Sequence, residues 1–210
     1  ARAKVGCDIF NIAGLAYLSY DKAKSLICFL SEKQLLDKFF ANDEKAYSSW
    51  YCNMGLAHID IDFEKANQFL GKALQLEKKY YGENSIHVAD VYHNIGKNYL
   101  AVSKYKSACL YFEKAQRIKK NERGYSYSLA KTEFAFANTL VFMLKKPFKA
   151  EDIEKIRALY VSVLEGYKSL NNISKLEYNN TLQVISEFLS KIGEENSSLK
   201  LKELIACNRF

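Results

Sequence analysis

A small or amide residue recurs along this chain at a nearly constant interval. It stands at Gly14, Gly55, Gly96, Asn138 and Asn180, with spacings of 41, 41, 42 and 42 residues. A fixed interval of this size is typical of stacked arrays, in which one supersecondary unit cannot bury its apolar face alone. The interval therefore predicts a repeat architecture before any single residue is given a role.

A second phrase follows each of the first four markers. An aromatic or aliphatic residue precedes two polar residues, and a small or aliphatic residue comes fourth. The copies are Tyr20-Asp21-Lys22-Ala23, Phe63-Glu64-Lys65-Ala66, Tyr105-Lys106-Ser107-Ala108 and Ile153-Glu154-Lys155-Ile156. Apolar residues recur at helical spacing in the segment around each marker and again in the segment that begins with each phrase, and a short connection separates the two segments. Each unit is therefore predicted to be two antiparallel helices joined by a tight turn.

The glycine markers have a packing explanation. Glycine inside a helix costs about 1 kcal/mol relative to alanine. Its return at Gly14, Gly55 and Gly96 predicts that the two helices of each hairpin approach closely there, with bulky residues such as Phe112 beside the crossing. The fourth unit carries about six extra residues around Pro147, the only proline, which predicts a longer turn.

The two patterns together resemble the tetratricopeptide repeat, whose signature is bulky-x-x-L-G-x-x-Y followed by A-x-x-x-F-x-x-A. The third unit reads Tyr92-x-x-Ile95-Gly96-x-x-Tyr99 with Ala108-x-x-x-Phe112-x-x-Ala115. The second reads Tyr51-x-x-Met54-Gly55-x-x-His58 with Ala66-x-x-x-Leu70-x-x-Ala73. The interval of about 42 residues, where the common repeat has 34, is similar to that of the kinesin-light-chain-like subfamily.

The resemblance implies an all-α fold, a right-handed superhelical solenoid of antiparallel helix hairpins. We expect a single solenoid domain over residues 1–210. It would hold about five repeats, at approximately 7–40, 47–80, 88–121, 130–170 and 173–206. The terminal repeats match the pattern least, as expected of units that cap an array.

Composition and motifs argue against several other functions. The net charge of +7 comes from lysines and arginines scattered over predicted helix ends and turns, so nucleic-acid binding is not expected of this fragment. Neither a membrane span nor a phosphate loop is present in the sequence. The five cysteines are an odd number, form no C-x-x-C pair and lack metal-ligand spacing. They therefore indicate a reducing, cytoplasmic compartment and no metal or cofactor. The three histidines lie in no nucleophile–base arrangement, so no catalytic residue and no enzyme activity are predicted.

The resemblance places the ligand groove along the first helix of each hairpin. Asn53 and Asn94 are one repeat apart, and an asparagine amide can pair with both groups of a peptide bond. Related branches of the family use asparagine in this way, so these two residues are the central candidates. The full set of groove candidates is Cys52, Asn53, Leu56, His93, Asn94, Lys97, Phe136, Thr139 and Phe142.

The predicted function is a non-catalytic scaffold that binds a peptide or linear segment of a partner protein in this groove. The alternative hypothesis is the peptide- or ligand-sensing domain of a larger bacterial regulator, such as a transcription factor or signalling protein, whose effector head is missing from this fragment. The first residue, Ala1 rather than Met, motivates that alternative. An enzyme or a nucleic-acid binder is the third and least supported class.

Overall fold

The structure is a computed structural model that describes residues 2–121, 126–170 and 173–207, apart from the side chains of residues 204, 206 and 207. Within these ranges the chain forms ten helices and no strand. They are α1 (Arg2–Tyr17), α2 (Lys22–Phe39), α3 (Ala46–His58), α4 (Phe63–Tyr81), α5 (Ile86–Ala101), α6 (Tyr105–Lys120), α7 (Tyr127–Met143), α8 (Ala150–Ser169), α9 (Lys175–Lys191) and α10 (Glu195–Cys207). The predicted all-α class is confirmed.

The helices pack as consecutive hairpins in two compact units, Ala1–Lys119 and Lys120–Phe210. The first unit contains α1 with α2, α3 with α4, and α5 with α6, whose last residue lies just past the boundary. The second unit contains α7 with α8 and α9 with α10. That all five hairpins make one domain stays a prediction.

Local sequence explains where many of these helices begin. Five of them start after an aspartate or serine whose side chain accepts the backbone N–H three residues later, which satisfies a donor that the helix cannot. These capping residues are Asp21, Asp62, Ser85, Ser126 and Ser174. The connection from α7 to α8 spans residues 144–149, whereas that from α5 to α6 spans only 102–104. The predicted longer turn around Pro147 is confirmed.

The glycine markers lie where the two helices of a hairpin cross. A Cβ added at Gly14 would come within 2.4 Å of Phe29, and one added at Gly55 within 2.6 Å of Leu70. At Gly96 it would be 2.7 Å from Cε1 of Phe112. Atoms cannot approach so closely, so the predicted close approach is confirmed in all three hairpins of the first unit.

Two parts of the predicted register are wrong. Asn180 is exposed; the residue that occupies the marker position of the last hairpin is Ser186, fully buried and bonded to Ser198. The six extra residues after α7 cause this shift, because the prediction kept a constant interval through them. In the first hairpin Ala23 is exposed, and the buried small residue is Ser25, whose hydroxyl donates to the carbonyl oxygen of Gly14 at 2.8 Å.

Successive hairpins of the first unit share buried side chains. Phe29 and Leu36 of α2 pack in one cluster with Trp50 and Met54 of α3. In the same way Leu70 and Ala73 of α4 pack against Val91 and Ile95 of α5. The second helix of each hairpin therefore covers the first helix of the next one, which is the stacking that a repeat needs.

Helix α1 has no such cover on its outer side within the described part of the chain. Ile9 is 58 % exposed, whereas the residues one and two repeats later, Trp50 and Val91, are 3 % and 2 % exposed. Val5 and Ile12 lie on the same face as Ile9 and are also exposed. The first helix therefore presents an apolar face at the position that stacks between hairpins in the later repeats.

Candidate functional site

Six of the predicted groove residues lie on two neighbouring helices of the first unit. Helices α3 and α5 contact each other and carry these side chains on adjoining turns. The six are Cys52, Asn53, Leu56, His93, Asn94 and Lys97. The structure thus brings together the candidates from the second and third repeats, the two that match the family pattern best.

Asn94 bridges the two helices. Its side-chain nitrogen donates to Sγ of Cys52 at 3.2 Å, which places equivalent turns of α3 and α5 side by side. Burial raises the pKa of the Cys52 thiol to about 11, against a smaller lowering by the Asn94 hydrogen bond. The thiol is therefore protonated at neutral pH and is a poor nucleophile, so Cys52 acts as a packing and hydrogen-bonding group.

Asn53 is more deeply placed than its counterpart. The residue is 8 % exposed, and its amide takes no hydrogen bond from the residues that the structure describes. Its amide atoms are not among the fully enclosed unpaired side-chain atoms, so solvent or a ligand can reach them. Asn53 therefore has hydrogen-bonding capacity that its own described chain does not use.

The other residues on this surface differ in exposure. Leu56 and His93 are half-buried, and the His93 ring centroid lies 5.5 Å from that of Phe112. Lys97 is exposed. The surface therefore offers amide, aliphatic, aromatic and cationic groups within two turns of helix.

The three candidates from the fourth hairpin are placed differently. Phe136 and Thr139 are 2 % and 0 % exposed, so neither can present its side chain to a ligand, and their inclusion in the groove is corrected. The Thr139 hydroxyl donates to the carbonyl oxygen of Ala135, and Lys155 lies over the ring of Phe136. Phe142 is 61 % exposed and lines a pocket of about 350 Å³ within the second unit, beside Tyr160 and Phe188.

Sequence reasoning missed a polar pocket at the other end of the first unit. It has a volume of about 370 Å³ and lies among α1, α2, the connection to α3 and the end of α4. Glu32 lines it although only 4 % exposed, and Asn11 donates to its Oε1 at 3.4 Å. Burial raises the pKa of Glu32 to about 7. The sequence contained a signal for this pocket. Glu32 lies three residues after Phe29, whereas alanines, Ala73 and Ala115, lie three residues after Leu70 and Phe112 in the next two hairpins.

Many of the basic residues have acidic partners. Lys119, only 1 % exposed, lies 2.8 Å from the carboxylate of Asp90, and Lys78 lies 3.1 Å from that of Glu83. Within the described ranges no three His, Cys, Asp or Glu side chains are grouped so that they could hold a metal ion. A search of the described helices found none long and apolar enough to cross a membrane.

Comparison with solved structures gives the same architecture. BtubC (BKLC) of P. vanneervenii superposes with a TM-score of 0.75 at 14% identity, over 94% of this chain and 76% of that one. A protein of Podosopora anserina, described as a kinesin light chain with nearly identical TPR-like repeats, gives 0.69 at 10% identity over 99% and 95%. A single-residue variant of that protein gives 0.71 at 10% identity over 99% and 94%. At these identities the likeness concerns the fold alone.

The fold and these neighbours define the class as an α-solenoid of helix hairpins. The family profile of the tetratricopeptide repeat matches residues 47–121, the second and third hairpins. That segment therefore resembles the tetratricopeptide repeat family, and the predicted likeness to kinesin-light-chain-like repeats is confirmed at the level of the fold. No curated protein matches the chain. Tetratricopeptide repeats in general mediate protein–protein interactions and are non-catalytic.

Proposed function

We propose that this chain is a non-catalytic scaffold that binds an extended segment of a partner protein across α3 and α5. The observation that carries the proposal is the pair Asn53 and Asn94, one repeat apart on adjoining helices. The Asn53 amide takes no hydrogen bond from the described chain, and Asn94 uses one donor on a weakly accepting thiol. Both amides therefore have capacity for a ligand's main chain.

The spacing of the two helices suits such a ligand. Neighbouring packed helices lie about 8–10 Å apart, and an extended chain advances about 3.3 Å per residue. Two asparagines on adjoining helices would therefore contact peptide groups about three residues apart. Leu56 and Lys97 flank the pair and would select among side chains, so that main-chain contacts give affinity and side chains give specificity.

The proposed compartment is the cytoplasm. The cysteines Cys7, Cys28 and Cys52 carry free thiols, which suits a reducing environment. The same surface would serve the sensing domain of a larger bacterial regulator, and the identity of the ligand decides between the two hypotheses.

The proposal is tested with a displayed library of linear peptides selected on the whole chain. A selected peptide is then titrated against wild type, the Asn53→Ala/Asn94→Ala double variant and the control Asn67→Ala, which removes an amide from α4. Loss of both amides should weaken binding by about 10–100-fold, because two net hydrogen bonds are removed. The control should bind as wild type does.

Modified peptides supply the second arm. Methylation of one backbone nitrogen of the selected peptide should abolish binding at the positions that meet the asparagines, whereas alanine in the peptide should be tolerated there. Unchanged affinity of the correctly folded double variant would exclude the asparagine pair as the main-chain contact.

A further inference from the structure

We propose that the pocket containing Glu32 binds a cationic side chain, a lysine ammonium or an arginine guanidinium, of a bound partner. The inference rests on the proposed function only in that the cation belongs to a partner's chain. It concerns a different part of the first unit from Asn53 and Asn94, and it stands on the placement of a single buried carboxyl group.

Stacking does not require a carboxyl group at this position. In the register of the second helices, Glu32 corresponds to Ala73 and Ala115, both fully buried between hairpins. Burying a carboxyl where an alanine would fit is costly unless the group is paired. Glu32 thus departs from its own repeat pattern at a cost in stability, which is typical of functional sites.

The carboxyl group is incompletely paired within the described chain. Its Oε2 is buried and has no hydrogen-bond partner among the described residues, and its Oε1 has only the long bond from Asn11. Buried polar atoms are nearly always paired in folded proteins. A donor entering the pocket and displacing the Asn11 amide would supply the missing partner.

The charges at the rim of the pocket balance, so the carboxyl group of Glu32 sets the preference for a cation as that donor. Asp8 and Asp43 are exposed acidic residues at its rim, together with Lys4 and Lys45. Lys45 lies 4.7 Å from the centroid of the Tyr81 ring, which is also part of the lining.

The deep end of the pocket holds no positive charge among the residues that the structure describes. At this deep end, the other ionisable group among the described lining residues is the buried thiol of Cys7. The pKa of this thiol is raised by burial and by the carboxylates of Glu32 and Asp8. A cation that enters therefore meets one carboxyl group, and no buried cation of the described lining competes with it for that group.

Binding would be coupled to loss of a proton. With a pKa of about 7, Glu32 is partly protonated near neutrality, because burial disfavours its charged form. An entering cation stabilises the carboxylate, and the proton leaves to solvent. The apparent affinity should therefore rise with pH between about 5 and 8 and then level off.

The test uses short blocked peptides as probes, followed by amide chemical shifts of the labelled whole chain. Ac-Gly-Lys-Gly-NH2 and its arginine counterpart should bind and shift residues around the pocket. The same peptide with acetyl-lysine should not, because it has the length without the charge. The Glu32→Gln variant should bind the lysine peptide about 10–100-fold more weakly at about pH 8, the range expected for one lost charge-assisted hydrogen bond. At about pH 5 the two proteins should differ little, because most of Glu32 is then protonated.

Two further variants keep the outcome clear. Glu32→Ala places the residue of the later repeats at this position and should fold while losing the site. Glu64→Gln removes an equal charge from the exposed start of α4 and should leave binding unchanged. Equal binding of lysine and acetyl-lysine peptides, or of wild type and Glu32→Gln, would overturn the proposal. The Asn53→Ala/Asn94→Ala variant should still bind the probe, so failure of the two proposals can be told apart.

Discussion

The hydroxyl group of Tyr160 donates a hydrogen bond to Oδ1 of Asn138, 2.6 Å away. The pair stands at the helix crossing where the first three hairpins place a glycine against an apolar side chain, as with Gly96 and Phe112. The fourth hairpin thus replaces close backbone approach with a polar contact between the two helices. The same repeat position therefore makes two different kinds of crossing.

The polar crossing should depend on the hydroxyl group. Tyr160→Phe leaves Oδ1 of the half-buried Asn138 without its donor, and Tyr160 itself is 3 % exposed. We expect a loss of about 1 kcal/mol in the free energy of unfolding, measured by urea denaturation. The control Tyr20→Phe changes a side chain that is 71 % exposed in the connection between α1 and α2. It should lie within about 0.5 kcal/mol of wild type.

An alanine at the glycine crossing should lower the free energy of unfolding, although helix propensity alone would raise it. Gly96→Ala gains about 1 kcal/mol from propensity but places a Cβ 2.7 Å from the Phe112 ring. Overpacking costs about 1–3 kcal/mol, and the ring is fully buried and has little room to move. We therefore expect a net loss of stability.

Gly71 provides the matched control for that substitution. It lies inside helix α4, and a Cβ there would meet no described atom within 4 Å. Gly71→Ala should therefore raise the free energy of unfolding by about 0.5–1 kcal/mol. If both alanines stabilise the protein in parallel urea denaturation curves, close approach does not explain the glycine at position 96.

These crossings show how far the sequence alone could lead. Hairpin order and crossing positions were predictable because Gly55 and Gly96 recur with their apolar partners in an unbroken interval. The last marker was misplaced at Asn180 because an inserted turn breaks that interval, and only packing identifies Ser186. For the candidate site, Asn53 and Asn94 could be placed on one surface by periodicity. The burial of Phe136 could not, since a single sequence does not show which helix faces are covered.

Stability should fall as pH rises because of Glu32. Its pKa is about 7 in the folded chain and 4.5 without burial, so between those values the folded state holds a proton that the unfolded state has lost. The stability contribution is therefore fully present below pH 4.5 and is lost as pH rises through about 7. The difference corresponds to about 3 kcal/mol at roughly 1.36 kcal/mol per pKa unit.

Glu32→Gln isolates this contribution from all other titrations. The variant should match wild type at about pH 4 and exceed its free energy of unfolding by about 3 kcal/mol at about pH 8, measured by urea denaturation at both values. A constant difference between the two proteins across this range would mean that Glu32 titrates normally.

The uncovered face of α1 leads to a comparison between equivalent positions of two hairpins. Val91→Ala removes two methyl groups from a side chain packed between Leu70 and Ala73, and we expect a loss of about 1–3 kcal/mol. Ile9→Ala removes more apolar volume at the equivalent position of α1, but the side chain is 58 % exposed. It should change the free energy of unfolding by less than about 0.5 kcal/mol, helped by the better helix propensity of alanine. Urea denaturation at two protein concentrations measures both, and equal losses at Ile9 and Val91 would show that the α1 face is covered in solution.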